Sequence, residues 1–287
     1  MHSVYLNGRF IKPEQAVVSV YDRGFLFAEG VYEVIAFQNQ TLIDFALHEQ
    51  RLKNGLQAMG IKVSLDIQLI FSKLIKNNSF GQQQGIMYIH ITRGGSSERS
   101  HAYNEHDQPC IYCDIKTLSL PTYPKFERFK VITLPDYRWS QCHIKSTNLI
   151  ANTMAYNQAL SQGAVEAILH RDRQVVEGSK SNVFMVKNNT VITPPLRSHM
   201  LGGTVRKRTL ELLRTLKIPH HEANISVDEL RNADELWITS TTRLINPITQ
   251  VDDHILTREN FGLIWHRVND LLQKQLKSIT QGNLIYD

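Results

Sequence analysis

Apolar and polar positions alternate in two ways along this chain, and the two periods separate strands from helices. Val4-Tyr5-Leu6 and Arg9-Phe10-Ile11 flank Asn7-Gly8, a pair that supplies the positive φ angles of a tight turn, so a hairpin is predicted at the start. Asp44 stands as an N-cap before a helix through about Met59, with Phe45, Leu52, Leu56 and Met59 on one stripe. A second helix is predicted from Asp66 to Lys76. Ile86 to Thr92 and Cys110 to Ile115 are short, β-rich and bounded by polar turns, and read as strands. Leu118-Ser119-Leu120-Pro121-Thr122-Tyr123-Pro124 carries two prolines that favour extended backbone. This places a small domain at 1–119, a linker at 120–124 and a larger domain at 125–287.

The second half opens with a predicted strand, Lys130 to Leu134, and a helix from about Thr147 to Ser161. Strands follow at Val165 to Leu169 and Val183 to Val186, the latter turning through Asn188-Asn189 into Thr190 to Thr193. A helix from Thr204 to Leu216 stops before Pro219, and a strand from Glu235 to Thr239 runs into Ser240-Thr241-Thr242. A final amphipathic helix carries Phe261, Ile264, Val268, Leu271 and Leu272. Strands and helices do not alternate strictly, so the pattern predicts an α+β fold of two domains.

Composition narrows the function classes. Of 287 residues 42% are hydrophobic, which supports a sizeable core and excludes a disordered chain. No apolar run approaches the ~20 residues of a membrane-spanning helix. The start, Met1-His2-Ser3-Val4-Tyr5, lacks the layout of a signal peptide, and three cysteines fit a reducing cytoplasm. Lys plus Arg exceed Asp plus Glu by 32 to 27, but the densest basic cluster is only Arg206-Lys207-Arg208. Charge spread this evenly offers a phosphate backbone no stripe to follow, so no nucleic-acid partner and no membrane are expected. Pro109-Cys110-Ile111-Tyr112-Cys113 lacks the upstream His-x-Glu of a zinc deaminase, and positions three apart on a strand face opposite sides. Two core cysteines are expected there, and no metal site.

Four segments pair reactive side chains with small residues: Tyr21 to Glu33, His48 to Leu52, Arg138 to Leu149 and Glu177 to Phe184. Taken alone, Lys145 reads as a solvated lysine, Glu177 as a turn acid before Gly178, and Arg51 as a surface arginine beside an apolar seam. In order and with their separations, the four segments resemble the fold-type IV pyridoxal-phosphate enzymes over residues 3 to 275. That family includes D-amino-acid aminotransferase, branched-chain aminotransferase and aminodeoxychorismate lyase, and the block spacings are most similar to the first.

The resemblance implies a smaller N-terminal α/β domain, a larger C-terminal pseudo-barrel domain and pyridoxal 5′-phosphate as cofactor. It assigns Lys145 to the Schiff base and to the proton shift, in an environment whose desolvation and nearby cations lower its pKa. Glu177 then faces the pyridine nitrogen, with Gly178 and Ser179 allowing close approach, and Ser181 is implied as a further cofactor contact. Arg51, Gly203, Thr204, Val205, Ser240 and Thr241 are implied as phosphate and cofactor contacts, the first turn of a helix being a ready phosphate cradle. Relatives commonly carry Gly-Ile-Thr where this chain has Gly203-Thr204-Val205, and a small residue where it has Lys180.

Tyr32, Arg99 and His101 resemble a trap for the substrate carboxylate, and Arg138 an arginine at the active-site mouth. Arg99 and His101 otherwise read as a solvated hairpin tip. In the family this loop reaches over from a neighbouring subunit, which implies a homodimer. The expected reaction is ping-pong transamination between a D-amino acid such as D-alanine and a 2-oxo acid such as 2-oxoglutarate. Val31-Tyr32-Glu33-Val34 and Arg99-Ser100-His101 favour it over aminodeoxychorismate lyase, the alternative, which eliminates pyruvate. Branched-chain aminotransferase is the third choice, since it lacks the Arg-x-His pair.

Overall fold

A computed structural model describes residues 2–95, 98–104, 106–122, 129–257 and 260–280; Tyr123 and Pro124 of the expected linker lie outside them. The chain divides into two compact units, Met1–Leu120 with Ile144–Asn148, and Pro121–His143 with Leu149–Asp287. Five residues of the later chain thus belong to the first unit.

The first unit contains β1 (Val4–Leu6), β2 (Arg9–Ile11), α1 (Arg23–Phe27), β3 (Gly30–Gln38), β4 (Thr41–Leu42), α2 (Phe45–Ala58), α3 (Ile67–Asn77), β5 (Gln84–Thr92) and β6 (Cys110–Thr117). Its six strands form one antiparallel sheet in the order β2-β1-β6-β5-β3-β4. The Asn7-Gly8 hairpin is present, with both turn residues at positive φ. Alternate residues of β3 and β5, Val31, Ile35 and Phe37 with Met87, Ile89 and Ile91, pack against Leu52, Leu56, Phe71 and Leu74 of α2 and α3. The opposite positions, Tyr32, Tyr88 and His90, share the other face, because side chains alternate across a strand.

The second unit contains β7 (Lys130–Pro135), α4 (Ile150–Ser161), β8 (Glu166–Arg171), β9 (Gln174–Gly178), β10 (Asn182–Lys187), β11 (Thr190–Thr193), α5 (Thr204–Thr215), β12 (His220–Glu222), α6 (Val227–Arg231), β13 (Glu235–Ser240), β14 (Leu244–Ile248), β15 (Gln250–Val251), β16 (His254–Ile255) and α7 (Leu263–Thr280). They build two mixed sheets of five strands, β12-β11-β10-β13-β14 and β16-β15-β7-β8-β9. Val131, Ile168 and Val251 of one sheet share a core with Val183, Met185, Leu236 and Ile238 of the other. α4 covers the other side of β7 and β8 through Ala159 on Ile132, Ala167 and Leu169.

Several expectations shift. The helix anticipated from Thr147 begins at Ile150, because residues 144–148 bond to β3 instead. Asp44 takes a left-handed conformation and does not cap α2 with its side chain, whereas Asp66 caps α3 by accepting from Leu69 N–H at 2.9 Å. Phe261 precedes the last helix. Only Cys113 of the cysteine pair is in the core; Cys110 is half-buried and its thiol accepts from Asn7. β3, β9, β14 and the short α1 and α6 were not anticipated.

Phe37 is the keystone of the first core, fully buried with its ring edge-on to Phe71 at 5.2 Å and Phe80 at 5.9 Å. Phe37→Ala is expected to destabilise this unit by about 3–5 kcal/mol. Urea unfolding followed by near-UV circular dichroism checks it, and a loss below about 1 kcal/mol would contradict the packing described.

Candidate active site

In the first unit, Lys145 is held by backbone rather than by its own side chain. Tyr32 N–H donates to the Lys145 carbonyl at 3.0 Å, Thr147 N–H donates to the Gly30 carbonyl at 2.9 Å, and Ser146 bridges Val31 in antiparallel sense. Thr147 Oγ1 also donates to the Ala28 carbonyl at 2.9 Å. The segment therefore adds to β3 as a short extra strand. Lys145 Nζ lies 4.1 Å from the centroid of the Tyr32 ring, so its described neighbour is an aromatic face, which attracts an ammonium, and not another cation. Tyr88 lies 6.0 Å from Tyr32, centroid to centroid, and its hydroxyl meets His90 Nδ1 at 3.1 Å. Burial, helped by Tyr32, pushes the Tyr88 phenol up to about 12.

Arg51 does not stand alone. Its Nε and Nη2 donate to the two oxygens of Glu33 at 2.7 and 2.8 Å, and His48 Nδ1 donates to the same carboxylate at 2.8 Å. Glu33 is fully buried on the helix-facing side of β3, among Val31 and Ile35. Burial raises its pKa, but the charge and hydrogen bonds of Arg51, with those of His48, outweigh this and hold it at about 2. A fork–carboxylate pair of this kind fixes the plane and direction of the guanidinium. Glu33 and His48 belong to the quoted sequence segments, yet the reading of those segments assigned neither a role. The available signal was a carboxylate inside the apolar run Val31 to Phe37.

Arg99 and His101 sit on an exposed loop of the first unit. Arg99 lies over the Phe27 ring at 5.1 Å and His101 meets that ring edge-on at 5.5 Å. The loop is pinned from beneath by Arg23, whose guanidinium donates to the carbonyls of Ser100, His101 and Ala102 at 2.6, 2.9 and 3.2 Å while pairing with Glu29. Among the described residues no hydrogen bond or ring contact joins Arg99 or His101 to Tyr32 or Lys145 of the same chain.

In the second unit, Glu177 is buried at the end of β9 and surrounded by donors. Arg138 Nη1 donates at 2.6 Å, Leu201 N–H at 3.2 Å and Asn182 Nδ2 at 3.2 Å. Burial pushes the Glu177 carboxyl up, to about 7, against the pull of Arg138 and Leu201. Arg138 is correspondingly not at a mouth. Its side chain is buried, with Nε and Nη2 on Asp136 at 2.8 and 3.0 Å and Nη2 also near the His199 carbonyl at 3.3 Å, so it supports Glu177 from behind. The Ser181 hydroxyl points inward too. It donates to Glu166 at 2.8 Å, and Ser179 donates to the other oxygen of the same buried carboxylate. Asp136 and Glu166 carried no signal that sequence reasoning used.

Asn182 ties this end of the unit together. Its Nδ2 also donates to the Leu201 carbonyl at 2.8 Å, and its Oδ1 accepts from Gly203 N–H at 3.1 Å. Gly203 is the N-cap of α5, and a Cβ there would lie 2.1 Å from Asn182 Oδ1, so a side chain would displace Asn182 from its hydrogen bonds. Thr204 and Val205 open the helix, where N–H groups and the helix dipole favour an anion. The β10–β13 register pairs Asn182 with Thr239, which brings Ser240 and Thr241 to the end of the sheet where Asn182 meets Glu177 and Gly203. Thr239 Oγ1 is buried without a partner among the described residues.

Known proteins agree with this frame. The profile of the family "Amino-transferase class IV" matches residues 30–251. The D-alanine aminotransferase of Staphylococcus aureus (strain MSSA476) is 32% identical over 283 residues, covering 97% of this chain and 99% of the relative. That of Bacillus licheniformis is 34% identical over 278 residues, covering 96% and 98%. The chain belongs to the class IV aminotransferases. Its fold is that of the branched-chain amino acid aminotransferase of Escherichia coli, with TM-score 0.84, 19% identity and coverage of 98% and 95%. A branched-chain aminotransferase from Thermoproteus uzoniensis gives 0.81, 23% and coverage of 99% and 96%. The α+β fold is therefore fold type IV.

Class IV aminotransferases use pyridoxal 5′-phosphate, and the donor set of this aminotransferase fits it. An amine lies on an aromatic face, a buried carboxylate is poised near neutrality for a ring nitrogen, and a glycine-capped helix start suits a phosphate.

The buried Glu33 pair has a testable signature. Its depressed pKa means that charged Glu33 contributes full stability above about 4.5, its ordinary value, and that this is lost as pH falls through about 2. Glu33→Gln should cost about 2–3 kcal/mol at pH 7 by leaving half-buried Arg51 without its carboxylate. The gap to wild type should narrow as pH falls below about 4.5, toward 2. A gap that stays constant across that range in urea unfolding would refute the ion pair as its source.

Proposed function

We propose that this aminotransferase moves an amino group from a D-amino acid such as D-alanine to a 2-oxo acid such as 2-oxoglutarate, in ping-pong fashion. The observation that carries this is the full-length similarity to D-alanine aminotransferases, at 32% and 34% identity, together with Lys145 fixed beside Tyr32. When bound, the cofactor supplies an aldehyde for the amine and a ring that withdraws electrons from the substrate Cα.

The chain's own residues then divide the work. Lys145 Nζ would hold the cofactor and, when freed by substrate, would carry the proton from the substrate Cα to the carbon that bore the aldehyde, with the reverse transfer in the second half-reaction. Backbone anchoring to β3 fixes the face from which it acts, and that face sets the stereochemistry. Glu177, braced by Arg138, keeps a proton at the ring nitrogen. Arg51, oriented by Glu33, holds the phosphate with the N–H groups of Gly203, Thr204 and Val205 and the hydroxyls of Ser240 and Thr241. Ser181 acts through Glu166, since its hydroxyl is spent there. Tyr32, Arg99 and His101 hold the substrate carboxylate.

Arg99 and His101 serve the site of a second copy, which makes the protein a homodimer. Their loop packs on Phe27 and not on its own Tyr32, and Val17, Val20 and Phe25 of the same unit are 78, 64 and 73% exposed. Free cysteines and the absence, among described residues, of any helix long and apolar enough to cross a membrane are compatible with a cytoplasmic enzyme.

Holoenzyme given D-alanine and 2-oxoglutarate should release pyruvate, L-alanine should not replace D-alanine, and Lys145→Ala should lower the rate by about 10³-fold or more. Pyruvate formed from aminodeoxychorismate with no amino acceptor would replace this reading with the lyase. Arg99→Ala should raise KM for D-alanine by about tenfold or more, as loss of a charge-assisted carboxylate contact requires. An unchanged KM would return Arg99 to the solvent.

A further inference from the structure

Two cations of the second unit converge on one phenol. Lys180 lies in the turn between β9 and β10, and its Nζ is 3.5 Å from the centroid of the Tyr156 ring on α4. Arg243 lies in the turn between β13 and β14, and its charge acts on the same phenol. These two turns are neighbours because β10 pairs antiparallel with β13, Asn182 opposite Thr239. The Lys180 turn is tied to α4 by Asn152 Nδ2, which donates to the Ser179 carbonyl at 2.7 Å, one helical turn before Tyr156.

Like charges gathered on one group repel, and such a cluster is normally relieved by a carboxylate. Among the described residues neither Lys180 nor Arg243 forms an ion pair with one. The phenol responds to the excess. The hydrogen bond from Lys180, against burial, and then the charges of Lys180 and Arg243 hold Tyr156 below its ordinary pKa. The cluster is also not remote from the proposed chemistry. Lys180 stands between Ser179 and Ser181 and three residues from Glu177, Arg243 is two residues after Thr241, and Asn182 links that end of the sheet to Glu177 and Gly203.

We propose that Lys180, seated on the Tyr156 ring, and Arg243 on the neighbouring turn form a subsite for a second carboxylate, and so select dicarboxylic substrates over monocarboxylic ones. The assignment rests on the transaminase reading for its meaning, but not for its binding chemistry. An anion between the two cations removes their repulsion, and the guanidinium offers a fork that matches a carboxylate. Tyr156 acts as a positioning residue, since its ring face holds the Lys180 ammonium.

The test separates binding from turnover. Titration calorimetry on the holoenzyme uses glutarate as an inert dicarboxylate and butyrate as its monocarboxylate counterpart. Wild type should bind glutarate more tightly, and Lys180→Ser and Arg243→Ser should each weaken glutarate by about tenfold or more while moving butyrate by less than about threefold. Lys180→Arg, which keeps the charge, should retain most of the glutarate affinity. In turnover, the ratio of kcat/KM for 2-oxoglutarate to that for 2-oxobutyrate should fall about tenfold in the serine variants. Equal weakening of glutarate and butyrate, or a wild type that does not distinguish them, would overturn the subsite. Displacement of glutarate by equimolar inorganic phosphate would assign the cations to a single phosphate instead and overturn it as well. Absence of any D-alanine turnover in wild type would remove the proposed function while leaving the glutarate result to judge the subsite.

Discussion

Two backbone hydrogen bonds, Tyr32 N–H to the Lys145 carbonyl and Thr147 N–H to the Gly30 carbonyl, draw five residues of the later chain onto the edge of an earlier strand. Everything proposed for Lys145 depends on this attachment. Backbone groups on a sheet have few alternatives, so the amine is presented from a rigid base and only its own χ angles remain free. Gly30 makes the approach possible, because a Cβ there would crowd the Ile91 carbonyl at 3.0 Å and Thr147 Oγ1 at 3.2 Å. The same strand presents Tyr32 toward Lys145 on one face and Glu33 toward Arg51 on the other. One strand thus sets the direction of an amine and of a guanidinium at once, through the alternation of its side chains.

Buried carboxylates supply the second level of order. Glu33, Asp136, Glu166 and Glu177 each lie inside the protein, and each is met by donors: Arg51 and His48, Arg138 and Arg171, Ser179 and Ser181, or Arg138 with Asn182 and Leu201. Desolvating such groups costs more than an isolated pair returns, so these networks are poor sources of net stability. Their value is geometric. A carboxylate with several fixed donors has one orientation, and so does the arginine that answers it. Glu33, held near 2, is met by two nitrogens of Arg51, whereas Glu177, raised toward 7, receives one nitrogen of an Arg138 shared with Asp136, whose own charge adds to the rise.

Much of this was legible along the chain. The Asn7-Gly8 hairpin, the stripes of α2 and α3 and the start of α5 follow from local rules of turn chemistry and periodicity. β3 escaped notice because Glu33 interrupts its apolar face, and the interruption is the very group that holds Arg51. The helix expected at Thr147 starts three residues later, because Ser146 and Thr147 find better partners on β3 than in a first helical turn. Arg138 was expected at a mouth and Ser181 on the cofactor, but the direction of each side chain depended on acids at positions 136 and 166.

The distinction has a physical basis. Helices and turns arise from interactions within a few residues, and those are written in the order of the amino acids, whereas Lys145, Arg51 and Glu177 stood out only through the resemblance of their segments to a family. Which acid meets which base does not arise that way. The pairs Glu33 with Arg51, Arg138 with Glu177 and Lys180 with Tyr156 join residues 18, 39 and 24 positions apart. Strand register and helix packing bring them together, and only the folded core makes a buried charge need a particular neighbour.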